Sequence, residues 1–190
     1  MATLTGNITV VTAPTVSVVT LSEAKTMLRV DHSADDTRIT ALISAATLFA
    51  ESYTGLYIMP QTVEWSVDRF PGTEFNLVVW PLASVDSIKY DDTSSPSVEQ
   101  TLVEDVDYMV DTTTVGGRIF TNSGWPSVSC TPLPIRIRMT AGYPLTGSPL
   151  AGNAPESLKE GIMAYVMFLY DNELGMKNAA EQILWHHRVL

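Results

Sequence analysis

Residues 20–55 contain two successive helices, each with its own start signal. Thr20 and Glu23 have the spacing of a capping box, in which the Thr hydroxyl accepts from the third helical amide and the Glu carboxylate reaches back to the cap. Ser33 and Asp36 repeat that spacing, which predicts a second start of the same kind. Behind it, Ile39, Leu42, Ile43, Ala46, Phe49, Ala50 and Tyr53 recur in steps of three and four, so a helix carries all of them on one face. Arg38, Thr40, Ser44, Thr47, Glu51 and Ser52 fall elsewhere. Gly55 can take the left-handed conformation that ends a helix.

After Gly55 the period changes from helical to alternating. Val63, Trp65 and Val67 alternate with Glu64, Ser66 and Asp68, the pattern of a half-buried strand over 62–70. Pro71 and Gly72 mark a turn. Further strands are expected over 75–80, 84–90, 98–103, 108–110, 118–120 and 135–141, with Gly116 and Gly117 shaping a tight hairpin. In the last of these, Ile135, Ile137, Met139 and Ala141 point inward, and Arg136 and Arg138 outward. Short antiparallel strands at this spacing imply a small sandwich or barrel. Residues 1–19 hold no charged side chain and read as an extended arm or a strand.

Residues 144–154 read as a linker, and helix returns at Ala154 or Pro155. Leu158, Ile162, Tyr165, Val166 and Leu169 form one stripe that Met163, Met167 and Tyr170 widen. So wide an apolar face implies contact on more than one side. Gly175 is the expected stop. The fold class is therefore α+β: a helical bundle formed by the N- and C-terminal segments, with a small antiparallel β-sandwich or barrel inserted. The boundaries expected are 1–60 for the arm and first helices, 61–148 for the β part, and 149–190 for the C-terminal helix and tail.

The charge excludes one function class. A net charge of −10 argues against gripping nucleic acid, which requires clustered cations facing phosphate. The acids concentrate between residues 86 and 111: Asp86, Asp91, Asp92, Glu99, Glu104, Asp105, Asp107 and Asp111 stand against Lys89 alone. They read as solvated loops, or as a repulsive wall along which a polyanion slides without sticking. The single cysteine, Cys130, permits no intrachain disulfide. The first residues lack the basic and apolar regions of a secretory signal, and the longest apolar run, 161–170, is too short to span a membrane, so a soluble protein made in the cytosol is expected.

Catalytic patterns are missing: the sequence has no P-loop, no GxGxxG, no GxSxG and no HExxH. Asp31, His32, Asp35 and Asp36 form the densest ionisable cluster, which a helix boundary explains as well as a metal or acid–base site does. The adjacent His186 and His187 point about 100° apart on a helix and suit a shared metal poorly. No cofactor, metal or catalytic residue is expected.

The helical stretch also resembles a known family. Leu21 to Lys25, Leu28 to Asp31, Asp35 and Asp36, Ile39, Ala45 and Ala46, and Glu51 to Gly55 resemble the N-terminal signature of the head–tail connector (adaptor) proteins of tailed phages, through Gln61 and Thr62. Trp80 to Leu82, Ser84, Val85, Ser87 to Tyr90, Ala141 to Pro144, Pro155, Leu158, Lys159, Ile162 and Leu169 to Glu173 are similar to later parts of that family. The end, Trp185 to Val189, resembles the family's closing segment but lacks the usual Pro-Tyr before the Arg. The resemblance implies a non-enzymatic virion protein of the neck, assembled as a ring that is commonly twelvefold. The ring would dock on the portal protein, meet a head-closure or tail protein below, and let double-stranded DNA pass without sequence-specific binding and without a membrane.

Three groups of residues follow as candidates. The tail Ile183, Leu184, Trp185, Arg188, Val189 and Leu190 is expected to dock on the portal, with Trp185 as anchor, or to pack on the chain's own helices. Met163, Met167 and Tyr170 are expected at the subunit interface, and the eight acids named above along the channel. A rival reading is a soluble β-module that binds a carbohydrate or protein ligand; a weaker one is an enzyme with residues dispersed in sequence.

Overall fold

The first helix begins where its capping box places it. In α1 (Leu21–Leu28) the Thr20 hydroxyl accepts from the Glu23 amide, and the Glu23 carboxylate accepts from the Thr20 amide at 2.8 Å. The computed structural model describes residues 6–113, 116–146 and 151–189. The second capping box does not form. Helix α2 (Asp36–Thr54) is capped at Asp35 without a side-chain hydrogen bond, and Asp36 instead takes the Lys25 ammonium at 2.6 Å. Spacing alone proposed Ser33 as the cap, but the chain enters the helix two residues later. Gly55 ends α2 at φ 77°, and all seven residues of the expected apolar face are buried or half-buried.

Two further helices complete this unit: α3 (Glu156–Asp171) and α4 (Leu174–Trp185). The expected stop at Gly175 is corrected. Asn172 takes the left-handed cap at φ 57°, which its short polar side chain tolerates, and Gly175 lies inside α4. Phe49 of α2 stacks on Tyr165 of α3 with ring centroids 3.8 Å apart. Ile39, Ile43, Leu158, Ile162 and Leu184 are fully or almost fully buried. The helical unit comprises Pro14–Pro60 and the residues from Tyr143 onward. Within the region read as a linker, Leu145–Thr146 and Ala151–Gly152 pair as a minimal antiparallel ladder.

The other unit takes the residues up to Ala13 together with Gln61–Gly142. Its strands are β1 (Gly6–Thr12), β2 (Gln61–Val67), β3 (Glu74–Asn76), β4 (Leu82–Asp91), β5 (Glu99–Leu102), β6 (Tyr108–Asp111), β7 (Arg118–Thr121) and β8 (Ile135–Ala141). The two short strands of the helical unit follow as β9 (Leu145–Thr146) and β10 (Ala151–Gly152). The large sheet runs β1-β2-β8-β4-β5, antiparallel throughout, and a smaller one runs β3-β7-β6. Neither closes into a barrel among the described residues. β2 and β8 carry the strict alternation expected of them, with Val63, Trp65, Val67, Ile135, Ile137 and Met139 buried. Trp65 meets Phe75 of the small sheet at 6.2 Å.

Three local expectations change. The strand expected over 75–80 pairs only at Glu74–Asn76, although Leu77 and Val79 remain buried. The β6–β7 connection is longer than a two-residue hairpin, and positive φ is found at Gly117. The N-terminal arm, grouped with the helices in the sequence, pairs with β2 and falls in the β unit. No described helix is long and apolar enough to cross a membrane.

Candidate assembly interface

The C-terminal tail divides into an inward and an outward half. Gly161 of α3 has no side chain because Leu184 occupies that space; a Cβ there would stand 2.8 Å from Leu184 Cδ2. Leu184 is fully buried, and Ile183 is half-buried beside it. Beyond the helix the Val189 amide donates to the Thr54 carbonyl at 2.8 Å, and His187 Nε2 lies 2.7 Å from Ser157 Oγ. Burial, and then the neighbouring His186, push the His187 imidazole below its ordinary pKa. The tail therefore packs on its own helices through Val189.

Trp185 does not take part in that packing. Its side chain is 56 % exposed, and the Arg188 guanidinium stands 5.3 Å from its ring centroid. Trp185 also borders a groove of about 540 Å³ lined by Tyr53, Asn178, Glu181, Gln182 and His186. Of the six tail residues expected to dock, Ile183 is half-buried beside Gly161, Leu184 and Val189 are held by the chain's own contacts, Trp185 and Arg188 face outward, and Leu190 lies outside the described residues.

On α3, Met163 and Met167 are half-buried. Tyr170 already has partners: its hydroxyl donates to Asp35 at 2.8 Å, Arg38 lies 4.6 Å from its ring centroid, and Arg38 donates to its carbonyl. The hydrogen bond to Asp35 raises the Tyr170 phenol above its ordinary pKa. These contacts break up the ionisable cluster at the start of α2. Asp35 serves Tyr170, Asp36 serves Lys25, and Asp31 and His32 stay exposed. Among the described residues no three His, Cys, Asp or Glu side chains are arranged to hold a metal.

The acids between 86 and 111 are less free than their sequence suggests. Arg136 chelates Asp91 with both guanidinium nitrogens and reaches Glu99, which also takes Lys89 at 2.8 Å. Arg118 holds Asp111, whose pKa is brought down to about 2 by the Thr113 hydroxyl and amide and by that arginine. Asp86 accepts from Ser84 and Thr140. Asp92 accepts the Ser94 and Val98 amides, and Asp107 the Val103 amide. Glu104 and Asp105 are exposed, and no side-chain partner is found for them among the described residues. Burial, and then the charges of Glu104, Asp105 and Asp107, push the Tyr108 phenol up to about 12. Of the cations missed in the sequence, Arg118 stands opposite Asp111 on the neighbouring strand β7 and Arg136 comes from β8, distant in the chain; the outward position of Arg136 is the available signal, but not its register.

The rival ligand-binding reading is not favoured. Trp125 and Phe70 stack at 4.4 Å, yet the Trp125 indole N–H donates to the Gly72 carbonyl, which fixes the pair as a fastening of the 71–72 turn.

Residues 18–106 match the family of phage gp6-like head-tail connector proteins. No curated protein matches the sequence. Among solved structures, the chain is similar to a chain of the neck of an empty GTA particle computed with C6 symmetry, with TM-score 0.77, 17 % identity and coverage of 97 % of this chain and 96 % of that one. It is similar to a chain of the virion of the native gene transfer agent (GTA) particle with TM-score 0.77, 17 % identity and coverage of 96 % and 95 %. A chain of the neck of the native particle computed with C12 symmetry gives TM-score 0.74 at 17 % identity over 97 % and 96 %. At that identity the likeness establishes the fold, and residues 18–106 are similar to phage gp6-like head-tail connector proteins.

Proposed function

We propose that this chain is a structural protein of a phage-like particle, a head–tail connector that forms a ring at the neck and carries the DNA channel from the portal toward the tail. The observation that carries it is the family match over residues 18–106, joined to a fold shared over nearly the whole chain with proteins of a particle neck. The ring is taken to be twelvefold and the upper partner to be the portal. The lower partner is a head-closure or tail protein. Trp185 and Arg188 are the outward groups best placed to reach the portal, and Met163 and Met167 the apolar groups for a neighbouring subunit. Glu104 and Asp105 are the acids left to repel passing DNA. The role requires no catalysis.

The test is genetic and compositional. Deleting the gene from the producing host should leave DNA-filled heads without tails, and particles from the parent should contain the chain at a fixed ratio to portal. Tailed, infectious particles from the deletion would overturn the assignment.

A further inference from the structure

The two edges of the large sheet differ in how they are protected. β5 is four residues long, and its Glu99 is clasped by Lys89 and Arg136. β1 is seven residues long, carries neither charge nor proline, and is exposed along its whole length. Ile8 and Val10 pair with Trp65 and Val63 and so lie on the core face of the sheet, yet they are 38 % and 55 % exposed. The described residues leave them partly uncovered. Gly6 is tailored to this place: a Cβ would run into the Trp65 indole and the Val67 side chain. A long, neutral, apolar edge whose outer backbone donors and acceptors have no strand partner among the described residues is a template for another strand.

Charge narrows the occupant. A chain of net charge −10 that meets copies of itself must do so where charge is lacking or cancelled. No charged side chain precedes Glu23. At β5 the cations Lys89 and Arg136 offset Glu99 and Asp91, and exposed valines, Val98 and Val103, flank the strand. An edge-to-edge contact between unlike edges is head-to-tail, and a rotation that closes makes it a ring.

Building on the connector reading, we propose that β1 of one copy pairs with β5 of the next, so that the large sheets join around the ring. The antiparallel order β1-β2-β8-β4-β5 sets β1 and β5 in the same direction, so the joining pair is parallel. Counting through the paired strands places Thr9 and Thr101 on the same outer face, opposite Ile8 and Leu102.

The experiment uses full-length chain in particles from the producing host, with Cys130→Ser removing the exposed native thiol. Thr9→Cys and Thr101→Cys are introduced together and singly, and purified particles are treated with a short bis-maleimide. The double variant should give a ladder of linked copies ending at the closed ring, and each single variant should give none. Linked dimers from Thr9→Cys alone would show β1 meeting β1 and overturn the proposal. Particles that contain the double variant but show no ladder would overturn it while leaving the connector reading intact. Absence of the parent chain from particles would remove both. As a second variant, Val10→Glu at its exposed position should leave the melting temperature of the free protein unchanged and reduce incorporation at least tenfold; incorporation at parental level would count against the edge contact.

Discussion

Glu23 and Glu51 both accept backbone amides, yet their stabilisation responds to pH with opposite sign. At Glu23 partial burial acts to raise the pKa, but Lys159 and the Thr20 amide and hydroxyl together outweigh it and bring it to about 2. A carboxylate held below its ordinary 4.5 stabilises fully above that value, and its contribution is lost as pH falls toward 2. At Glu51 burial dominates and raises the pKa, although the Ile58 and Met59 amides pull the other way. There the fold favours the protonated acid, so stability is greatest at low pH and falls as pH rises through the raised value. Glu23→Gln should lower the melting temperature at pH 7, by an amount matching less than about 1 kcal/mol for a half-exposed pair, and the gap to the parent should narrow at pH 3. Glu51→Gln keeps an acceptor for the Ile58 amide and removes a buried charge. It should raise the melting temperature at pH 7 and leave it at the parental value near pH 4. Thermal melts of both variants at those pH values decide; a drop in Glu51→Gln at pH 7 would contradict the assigned sign.

Two glycines in the helical unit separate what a sequence discloses from what it hides. Gly175 looked like a stop because glycine is the usual left-handed cap, but the cap fell to Asn172, and Gly175 sits in the first turn of α4 with nothing nearer to its missing Cβ than Glu173 Oε1 at 3.9 Å. Gly161 gave no signal at all, being one more small residue in an apolar run, and it fixes how closely α4 approaches α3. Gly175→Ala should therefore stabilise by roughly 0.4–1 kcal/mol through lost freedom of the unfolded chain. Gly161→Ala should destabilise by about 1–3 kcal/mol, because the clash with Leu184 exceeds the gain in helix propensity. Urea melts of both variants check this; a stabilised Gly161→Ala would mean that the helices move apart without cost. The same limit explains the strands. Periodicity located the cores of β2 and β8 because alternation reports burial, but Leu77 and Val79 are buried without belonging to a strand, and the partner of β1 lies more than fifty residues away. Buried faces are local and legible, as is the capped start at Thr20 though not the one at Ser33; pairing partners and helix approach are not.

At the scale of the whole chain the candidate surfaces were readable as composition and not as geometry. Eight acids in one stretch read as a wall, but Arg136 from the distant strand β8 holds Asp91 and Glu99, and Arg118 from the adjacent strand β7 holds Asp111. Glu104→Lys with Asp105→Lys, the two acids left without partners, should slow genome ejection in a salt-sensitive way if they face the DNA, whereas Asp91→Asn should chiefly destabilise the β unit. Ejection kinetics at two ionic strengths separate these outcomes. The tail permits the sharper test, because neighbouring residues face opposite ways. Leu184 is fully buried against Gly161, so Leu184→Ala should cost about 2–5 kcal/mol, as truncation of a large buried aliphatic side chain does. Trp185 is mostly exposed, with the Arg188 guanidinium over its ring, so Trp185→Ala should leave the fold within about 0.5 kcal/mol of the parent. On the proposed docking its cost falls on assembly: an aromatic anchor seated in a partner's pocket contributes on the order of 2 kcal/mol or more, and a ring would repeat that loss at every subunit. Removing residues 179–190 as a block would confound the two effects by taking Leu184 with Trp185 and unfolding α4. The decisive comparison is the melting curve of Trp185→Ala beside its incorporation into DNA-filled heads. An unchanged melt with lost incorporation assigns Trp185 to docking. An unchanged melt with parental incorporation removes it from the interface and leaves its exposure without a partner.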